Sequence, residues 1–397
     1  MKILMVLNSH FPPDSRVEKE AISLLEEGHE VHIICYLKHD QKNKEKFQSI
    51  TIHRINCSDF FINKLSALAL IYPYYFKKWK KEIEKIFIRH QFDAIHVHDL
   101  PLSKVGYYFK KKFGCKLICD QHEFYSDWIK RTAHMNTLTG KLVSKFSNWG
   151  KYEKKYLSLA NLVITVAEPL RINYIKKYKL DADKIITVPN TPTRKIYNLN
   201  NINNEIIERY KNDFIIFYAG GIDILRGIDT AIIALKSIQK EIPNAKILLC
   251  GRIVHPYDPI KTAKKYGVES SVIFNGWINE EELPSYIAAS NVCFFTPPAN
   301  REEINNTIAT KIYQFAIMQK PIIVSDAKLM KEFVVNNNLG ISVKTGDNLG
   351  FANAVLNIAK NKNLFQKSSS NIGEEFFWER TVNELITSYS LLNSKQQ

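Results

Sequence analysis

The sequence predicts two α/β domains in tandem, each a doubly wound parallel sheet covered by helices. Apolar runs of strand length alternate with amphipathic stretches of helix length along the whole chain, which is typical of parallel sheets with helices on both faces. A length of 397 residues suits two or three domains of ordinary size. A polar, asparagine-rich stretch near residues 192–210 interrupts the alternation and suits a linker between the domains.

The first half of the chain holds the apolar runs of the first predicted sheet. Each run is rich in branched side chains and ends in polar residues that suit a loop. Ligands of parallel sheets bind beyond the carboxyl ends of the strands, so these polar residues are the first candidates for a site. In chain order the runs are KILMVLNS, VHIICY, ITIHRI, AIHVHD, KLICDQH, LVITVAE and IITVPN.

The second half repeats this pattern with the runs FIIFYAGG, AKILLCGR, VIFNGW, VCFFTPP, PIIVSD and GISVKT. Before PIIVSD, the segment NNTIATKIYQFA (residues 305–316) predicts a helix with two unlike faces. Its apolar face suits packing against the sheet and contains Ile308, Ile312, Phe315 and Ala316. Its polar face contains Thr307, Thr310, Lys311 and Gln314.

Several classes of protein are disfavoured by what the sequence lacks. No G-x-G-x-x-G and no P-loop follows a predicted strand, which weakens dehydrogenase and nucleoside triphosphatase interpretations. The six cysteines are scattered, mostly within apolar runs, and suit small buried side chains rather than a metal or redox site. The N-terminal apolar run is too short for the core of a signal peptide, so a cytoplasmic location is expected.

Positive charge is concentrated in the first half of the chain. Residues 1–200 contain 34 Lys and Arg against 20 Asp and Glu, a net +14, and the other residues contribute +1. The basic, aromatic stretches Phe60–His90 and Lys130–Tyr156 suit peripheral contact with an anionic membrane surface, at the inner face of the cell membrane. The alternative is an ordinary amphipathic helix with inward aromatics and solvated lysines. Nucleic acid and a phosphorylated substrate are the other anionic partners considered.

A series of motifs occurs in a characteristic order along the chain. In the first half they are FPPDSRVEKEAISLLEEGHEVHII, DAIHVHDLP, KLICDQHEFY, ANLVITVAEPL and ITVPNTP. In the second half they are FYAGGIDILRGIDTAIIAL, VIFNGWINEEELPSYIAASNVCF, ATKIYQFAIMQKPIIVSD and FFWERTVNELITSY. Together they resemble family 4 glycosyltransferases of the GT-B type, in a subgroup with a D-x-R-V motif near the N-terminus. The resemblance covers almost the whole chain.

The resemblance implies an enzyme that moves a sugar from a nucleotide-sugar to an acceptor hydroxyl and retains the anomeric configuration. It implies two Rossmann-like domains facing a cleft: an acceptor domain (1–195), a donor domain (196–375), and a C-terminal helix (376–397) that crosses back to the first domain. The donor is expected to be a UDP- or GDP-sugar. No cofactor and no metal ion bridging the diphosphate are expected, and the DAD sequence at residues 181–183 reads as a surface turn.

Without a metal ion, the protein must itself neutralise the donor diphosphate. Gly220 and Gly221 would allow close approach of the backbone, or would be simple turn glycines. The family usually has a basic residue both directly after the first glycine and at the position of Arg226. This chain has Gly221 at the former and keeps Arg226, whose alternative is an exposed helix-start arginine. Arg252 is a further candidate for the donor site, and Trp277 of NGWI would flank the base or lie in the core.

The predicted helix of residues 305–316 carries two departures from the family pattern. The family has a glutamate before this helix, which meets the donor sugar, and a second one eight residues later, which meets the ribose. Here these positions are Asn306 and Gln314, whose amides still form hydrogen bonds with hydroxyls. Asn306 would otherwise be an N-cap. The backbone amides of Thr307, Ile308 and Ala309 suit phosphate or sugar oxygens, and Lys311 would reach a phosphate or remain solvated.

In the first domain, His122 of DQHEFY matches the histidine that the family keeps near the reacting sugar, unless it is only a satisfied strand-end side chain. Glu123 would help to orient donor or acceptor, and Asp99 would face the acceptor with His98 on the opposite face of the strand. No general base is predicted, because the leaving phosphate itself can take the acceptor proton. Arg16 would contact phosphate on the acceptor or pair with Glu20.

Three alternatives to this enzyme remain open at the level of sequence. A GT-B sugar-nucleotide epimerase would bind the donor without an acceptor. A basic nucleic-acid- or membrane-binding protein without catalysis would use the charge of the first half, although the donor motifs argue against it. An inactive paralogue is the third, because Asn306 and Gln314 replace acids. The favoured role is bacterial cell-surface polysaccharide, lipopolysaccharide or glycolipid biosynthesis.

Overall fold

A computed structural model describes residues 1–38, 41–66, 68–129, 148–254, 256–361, 365 and 374–394. The stretch Lys130–Tyr156 therefore lies largely outside the described residues. The chain forms two compact units, one of residues 1–189 and 382–397 and the other of residues 190–381. Among the described residues, no helix combines the length and the apolar character that crossing a membrane requires.

The first unit is built on an eight-stranded sheet in the order β3-β4-β2-β1-β5-β6-β7-β8. All neighbours pair in parallel except the hairpin of β3 and β4, which the sequence pattern missed because KEKF has no apolar run. The strands are β1 (Lys2–His10), β2 (Glu30–Tyr36), β3 (Lys44–Phe47), β4 (Ile50–Ile55), β5 (Ala94–His98), β6 (Lys116–Gln121), β7 (Leu162–Thr165) and β8 (Ile185–Thr187).

Amphipathic helices cover this sheet. In α2, Tyr75, Trp79, Ile83 and Phe87 recur every four residues and are buried, so this face packs into the core while the lysines between them remain accessible. The helices are α1 (Ser15–Glu26), α2 (Tyr74–His90), α3 (Ser103–Phe113), α4 (Tyr125–Trp128), α5 (Trp149–Ser158) and α6 (Glu168–Tyr178).

The second unit has a six-stranded, wholly parallel sheet in the order β11-β10-β9-β12-β13-β14. Its strands are β9 (Phe214–Ala219), β10 (Ala245–Cys250), β11 (Val272–Gly276), β12 (Val292–Phe295), β13 (Ile322–Ser325) and β14 (Gly340–Val343). Its helices are α7 (Asn204–Tyr210), α8 (Ile228–Ile238), α9 (Pro259–Tyr266), α10 (Leu283–Ala289), α11 (Glu302–Asn305), α12 (Thr310–Ile317), α13 (Lys328–Asn336), α14 (Asn348–Lys360) and α15 (Trp378–Thr381).

The two boundaries between the units differ from those predicted from the sequence, which were placed at residues 195 and 376. The first unit ends at residue 189, because Thr191 and Pro192 are hydrogen-bonded to α15 of the second unit through Thr381 and Trp378. The last helix, α16 (Asn383–Ser394), belongs to the first unit, where Tyr389 is fully buried. The chain therefore returns to its first unit at its end, as the family resemblance implies.

Candidate functional site

In the first unit, His122 follows β6 and lies between two carboxylates at the carboxyl edge of the sheet. Its Nδ1 is 3.2 Å from Oδ1 of Asp99, which follows β5, and its Nε2 is 3.2 Å from Oδ2 of Asp120 near the end of β6. The imidazole is 29% exposed and Asp120 is fully buried. Two of the predicted residues, His122 and Asp99, are thus brought together, and Asp120 is a partner that the sequence analysis missed.

Arg16, on the first turn of α1, holds Asp120 in place. Its guanidinium donates two hydrogen bonds to the Asp120 carboxylate, at 3.0 and 3.1 Å, and a third to the carbonyl oxygen of Val188. It also forms an ion pair with Glu20 at 2.9 Å, which was one of the two interpretations of this residue. Arg16 is buried, so it supports the carboxylate beneath His122 and is not exposed to an acceptor phosphate.

The charges of this cluster set the protonation of His122. Burial opposes the charged carboxylate of Asp120, but Arg16 holds the pKa of Asp120 well below its usual range. Burial likewise opposes the imidazolium, yet the carboxylates of Asp99 and Asp120 raise the pKa of His122 to about 9. At neutral pH His122 is therefore a cation that donates hydrogen bonds from both ring nitrogens.

His98 approaches the same cluster, contrary to the prediction that it points to the opposite face from Asp99. Its Nδ1 is 3.3 Å from Asp120, and its ring stacks on that of His96 at 4.3 Å between centroids. The alternation of the strand ends here, because Asp99 has a φ of 61° and leaves the extended conformation. His96 accepts or donates a hydrogen bond of 2.9 Å with the hydroxyl of Tyr389.

This buried group also contains potential metal ligands. One ligand atom each of Glu20, His96, His98 and Asp120 lies within 4.8 Å of the others. The guanidinium of Arg16, however, already ion-pairs with both carboxylates. A cation here would compete with that guanidinium, so the arrangement suits an internally neutralised network that positions His122.

Glu123 follows His122 at a partly buried position, and its carbonyl oxygen accepts a hydrogen bond from the hydroxyl of Tyr174. The same hydroxyl lies 2.9 Å from the buried carboxylate of Glu153, so its one proton is shared between these two acceptors, and Tyr178 donates to the other oxygen of that carboxylate at 2.8 Å. Glu153 therefore fixes the backbone just beyond His122. Glu153 could not be recognised from the sequence, because it lies in a basic stretch that is typical of a solvated helix.

In the second unit, the glycines of YAGG lie where strands and loops approach closely. Gly220 has a φ of +128° and follows β9, and a side chain on Gly251 would meet the carbonyl oxygen of Gly220 at 1.8 Å. A Cβ on Gly220 would lie 2.6 Å from Nζ of Lys311. At Gly221 a Cβ would meet only Val254, at an ordinary 3.8 Å. Gly220 is therefore required by the geometry, and Gly221 is not.

Lys311 and Arg226 bring two positive charges to this edge of the second sheet. Nζ of Lys311 lies 4.3 Å from the ring centroids of Tyr218 and Phe295, and the Arg226 guanidinium lies 6.0 Å from that of Phe295. Burial first, and then the charge of Arg226, lower the pKa of Lys311 from 10.5 to about 7. Among the described residues, neither side chain forms an ion pair with a carboxylate.

Arg252 and Trp277 form a second contact at the same edge. The guanidinium of Arg252, two residues after β10, lies 5.5 Å from the ring centroid of Trp277, the residue after β11. Trp277 is 58% exposed, which excludes the alternative of a core tryptophan. Its ring is accessible to a planar ligand.

The segment before KIYQFA differs in one respect from the prediction. The helix begins at Thr310, with Ala309 at the N-cap, so Thr307, Ile308 and Ala309 precede it and do not form its first turn. Asn306 is not an N-cap of this helix, because it ends the short helix α11 instead. Asn306, Thr307 and Ile308 are partly buried, whereas Gln314 is buried.

Two family models match the chain. Residues 16–191 match the family described as Glycosyltransferase Family 4, and residues 200–375 match the family described as Glycosyl transferases group 1. The protein EpsD of Bacillus subtilis (strain 168), whose name describes it as a glycosyltransferase candidate, is 21% identical over 340 residues, which cover 78% of this chain and 79% of EpsD.

Solved structures share the fold over the full length. Sucrose-phosphate synthase from Thermosynechococcus elongatus has a TM-score of 0.74 at 16% identity, with 100% of both chains covered. Anabaena HepE in complex with UDP-glucose has a TM-score of 0.66 at 16% identity, covering 100% of this chain and 99% of HepE. The predicted fold class is thereby confirmed.

Proposed function

The matches in both halves support a family 4 glycosyltransferase of the GT-B type, and from this premise we propose that the protein transfers a sugar from a nucleotide-sugar to an acceptor hydroxyl with retention of anomeric configuration. The donor binds the second unit and the acceptor is served by His122 of the first.

The main support for a donor site in the second unit is the pair of positive charges formed by Lys311 and Arg226. The partly buried site of Lys311 disfavours the ammonium form so strongly that part of its charge is lost at neutral pH. Such a lysine is unusual unless a bound ligand compensates the positive charge. A donor diphosphate supplies that compensation, since charge-assisted hydrogen bonds to phosphate are among the stronger polar contacts. Gly220 lets the diphosphate approach the backbone beside Lys311. No metal ion bridging the diphosphate is required in this proposal.

The remaining donor contacts lie around these cations. Trp277, held by Arg252, offers an exposed ring on which the nucleobase stacks. Asn306, with the backbone of Thr307 and Ile308, is assigned to the sugar hydroxyls, and Gln314 to the ribose. Gln314 is buried, so only a small part of its side chain is accessible to a ribose. The complex of HepE with UDP-glucose supports a UDP-sugar as the first donor to test, with GDP-sugars second.

His122 acts as a donor of hydrogen bonds in this proposal. A pKa of about 9 leaves it protonated at neutral pH, so it is poorly suited to take the proton of the acceptor. It would instead hold a sugar hydroxyl or an oxygen that gains negative charge, with Asp99 and Glu123 orienting the acceptor. The acceptor hydroxyl attacks the anomeric carbon, the bond to the diphosphate breaks, and the leaving phosphate takes the proton.

The acceptor is proposed to be a membrane-bound precursor of a surface polysaccharide or glycolipid. Ile71 (46%), Tyr72 (55%) and Tyr74 (48%) are exposed at the start of α2 and just before it, and Phe60 (63%) is exposed further upstream in the chain. Lys77 and Lys81 are exposed on the first turns of the same helix. Aromatic rings next to lysines suit the interface of an anionic bilayer, which supports a peripheral position at the inner face of the membrane.

The donor proposal is tested with a panel of UDP-, GDP- and ADP-sugars. Thermal stabilisation should identify one nucleotide, and hydrolysis or transfer from the matching sugar should then be detected in the presence of EDTA. NMR of the product would give the anomeric configuration. Absence of stabilisation and of turnover with every nucleotide-sugar would refute the proposal, and activity that EDTA abolishes would refute metal independence.

The membrane proposal is tested separately by co-sedimentation with vesicles. Binding is expected with vesicles that contain phosphatidylglycerol and not with phosphatidylcholine alone. Replacing Tyr72 and Tyr74 together by serine should weaken it. Ile88→Ser is the matched control, because Ile88 is a large apolar side chain, 64% exposed, near the other end of α2. Equal binding by both variants would remove this patch from the interface.

A further inference from the structure

Three histidines of the first unit converge away from the carboxyl edge of the sheet. His32 is on β2, His53 is on β4, and His90 is the last residue of α2. One ring nitrogen of each lies within 4.8 Å of those of the other two. His32 and His53 are buried and His90 is partly buried. We propose that these histidines bind a divalent transition-metal ion, with Zn²⁺ as the ion that fits best.

The strand register places the rings of His32 and His53 on one face of the sheet. His32 pairs with Thr51 in the parallel ladder, and His53 lies two residues beyond Thr51. The side chains of His32 and His53 therefore point to the same face of the sheet. Nδ1 of His32 is 2.9 Å from Nε2 of His53. Two imidazole nitrogens bound tetrahedrally to one Zn²⁺ are about 3.3 Å apart. A shift of a few tenths of an ångström therefore converts this contact into two metal bonds.

Glu30 supplies the second requirement of a histidine ligand. Its Oε1 is 2.9 Å from Nε2 of His32, so the carboxylate fixes the tautomer with the proton on Nε2. Nδ1 of His32 is then unprotonated, and its lone pair, which accepts from His53 in the ion-free protein, would bind the ion. Histidine ligands of metals regularly have such a carboxylate or carbonyl partner on their other nitrogen. The ring centroids of His32 and His90 are 4.6 Å apart. Because His90 is partly exposed, the ion and a water ligand can reach the site from solvent.

The surroundings favour a borderline ion over Mg²⁺ or Ca²⁺. The three ligands are imidazoles, which suit Zn²⁺, Ni²⁺ and Cu²⁺, whereas the hard cations require several oxygen ligands. Lys2, Lys44 and Arg89 act on these histidines as nearby positive charges, and Glu30 is the carboxylate that opposes them. An ion held by directed bonds to nitrogen tolerates this environment better than one held by charge alone.

The position of the site indicates a structural role. Through β1, His32 is level with Ile95 of β5, whereas Asp99 lies four residues further toward the carboxyl edge, about 13 Å along the strand direction. The ion would tie the end of α2 to β2 and β4 without contact with His122. It would therefore stabilise the first unit and leave the protonation of the candidate active site unchanged.

The test uses the full-length protein without a histidine tag, stripped with a chelator and titrated with ZnCl₂. One Zn²⁺ per chain is expected by calorimetry and by elemental analysis after gel filtration, with a rise in melting temperature. Co²⁺ should give the visible absorption of a four-coordinate site. His90→Gln, at the partly exposed position where folding is least at risk, should abolish stoichiometric binding. Glu30→Gln should weaken it about 10–100-fold.

His10→Gln is the matched control, because His10 is a histidine of the same unit outside the cluster, and it should bind one Zn²⁺ like the parent. Less than stoichiometric binding by the parent would mean that His32 and His53 are simply a buried hydrogen-bonded pair and would overturn the proposal. Undiminished binding by His90→Gln would overturn it as well, since the ion would then lie elsewhere. Circular dichroism of each variant distinguishes lost binding from lost folding.

Discussion

Donor binding at alkaline pH is expected to draw a proton onto Lys311. In the ligand-free protein the pKa of Lys311 is about 7, because burial and the charge of Arg226 oppose the ammonium form. At pH 8 only about a tenth of the molecules carry this charge, and a bound diphosphate that restores an ordinary pKa would raise the fraction nearly to one. Uptake of about 0.9 proton per donor bound is therefore expected at pH 8, and about 0.1 at pH 6.

The lowered pKa of Lys311 also predicts that this side chain destabilises the folded, ligand-free protein, although it strengthens donor binding. A lowering from 10.5 to about 7 corresponds to at most about 5 kcal/mol against the charged form, and partial exposure of the side chain makes the actual cost smaller. This cost is fully present below pH 7 and disappears as the pH rises through 10.5. Lys311→Met should therefore raise the free energy of unfolding of the ligand-free protein near pH 7 while it weakens donor binding.

Calorimetry measures the proton uptake directly. The nucleotide-sugar that stabilises the protein is titrated at pH 8 in two buffers with different ionisation enthalpies, and the dependence of the binding enthalpy on buffer gives the number of protons. Lys311→Met should lose the uptake, whereas Lys328→Met, which removes an exposed lysine from the same unit, should keep it. Measurable binding by the parent at pH 8 without proton uptake would refute the assignment of Lys311.

Three further outcomes follow from the same two sites. Arg226→Ala should weaken donor affinity by about 1.5–3 kcal/mol, as for a lost charged hydrogen bond, and unchanged affinity in a calorimetric titration would remove Arg226 from the site. Asp99→Asn should lower the pKa of His122, because it removes one of the two carboxylates that raise it, and NMR titration of the ring would detect this; an unmoved pKa would contradict the pairing. Gly221→Arg in the Lys311→Met background should restore part of the donor affinity, because the position has room for a side chain, and no gain would argue against a phosphate near it.

The sequence was sufficient to predict those strands and helices that have a regular pattern of apolar residues. The two parallel sheets follow from the apolar runs, and Asp99 was singled out because it is a polar residue at the end of such a run. His122 and Arg226 were singled out chiefly by the family resemblance. The β3–β4 hairpin was missed because its strand is polar. Asp120 was missed because it lies within an apolar strand run, and Glu153 because it lies within a basic helical segment. Each acid can be recognised as buried and paired only when the fold brings its partners to it, Arg16 in one case and the tyrosine hydroxyls in the other.

The start of helix α12, which contains KIYQF, was predicted too early, again because the local sequence does not show the contacts made in the fold. Asn306 and Thr307 read as a cap followed by a first turn, yet a separate short helix already ends at Asn305, and the chain needs residues 306–309 to change direction before α12 begins. The physical importance of Lys311 was also hidden. Whether a lysine is solvated or held beside Gly220 depends on the packing of Tyr218 and Phe295, which come from two other strands.

The two sites differ in how their cations are compensated, and this difference predicts two distinct pH profiles. His122 is neutralised within the protein by Asp99 and Asp120, so it keeps its proton to about pH 9 with or without a ligand. Under the proposed function, the charge of Lys311 is compensated only when the donor is bound. The kcat/KM for the donor reports ionisations of the free enzyme, so it should fall as the pH rises above about 7.

In contrast, kcat reports the complex, in which the diphosphate keeps Lys311 charged, so it should remain level until His122 deprotonates near pH 9. Asp99→Asn should move the fall of kcat to lower pH and leave the fall of kcat/KM near 7 in place. Steady-state rates measured from pH 6 to 10 at saturating acceptor provide both profiles. Profiles that fall together, or a kcat that falls near 7, would show that the diphosphate does not compensate Lys311.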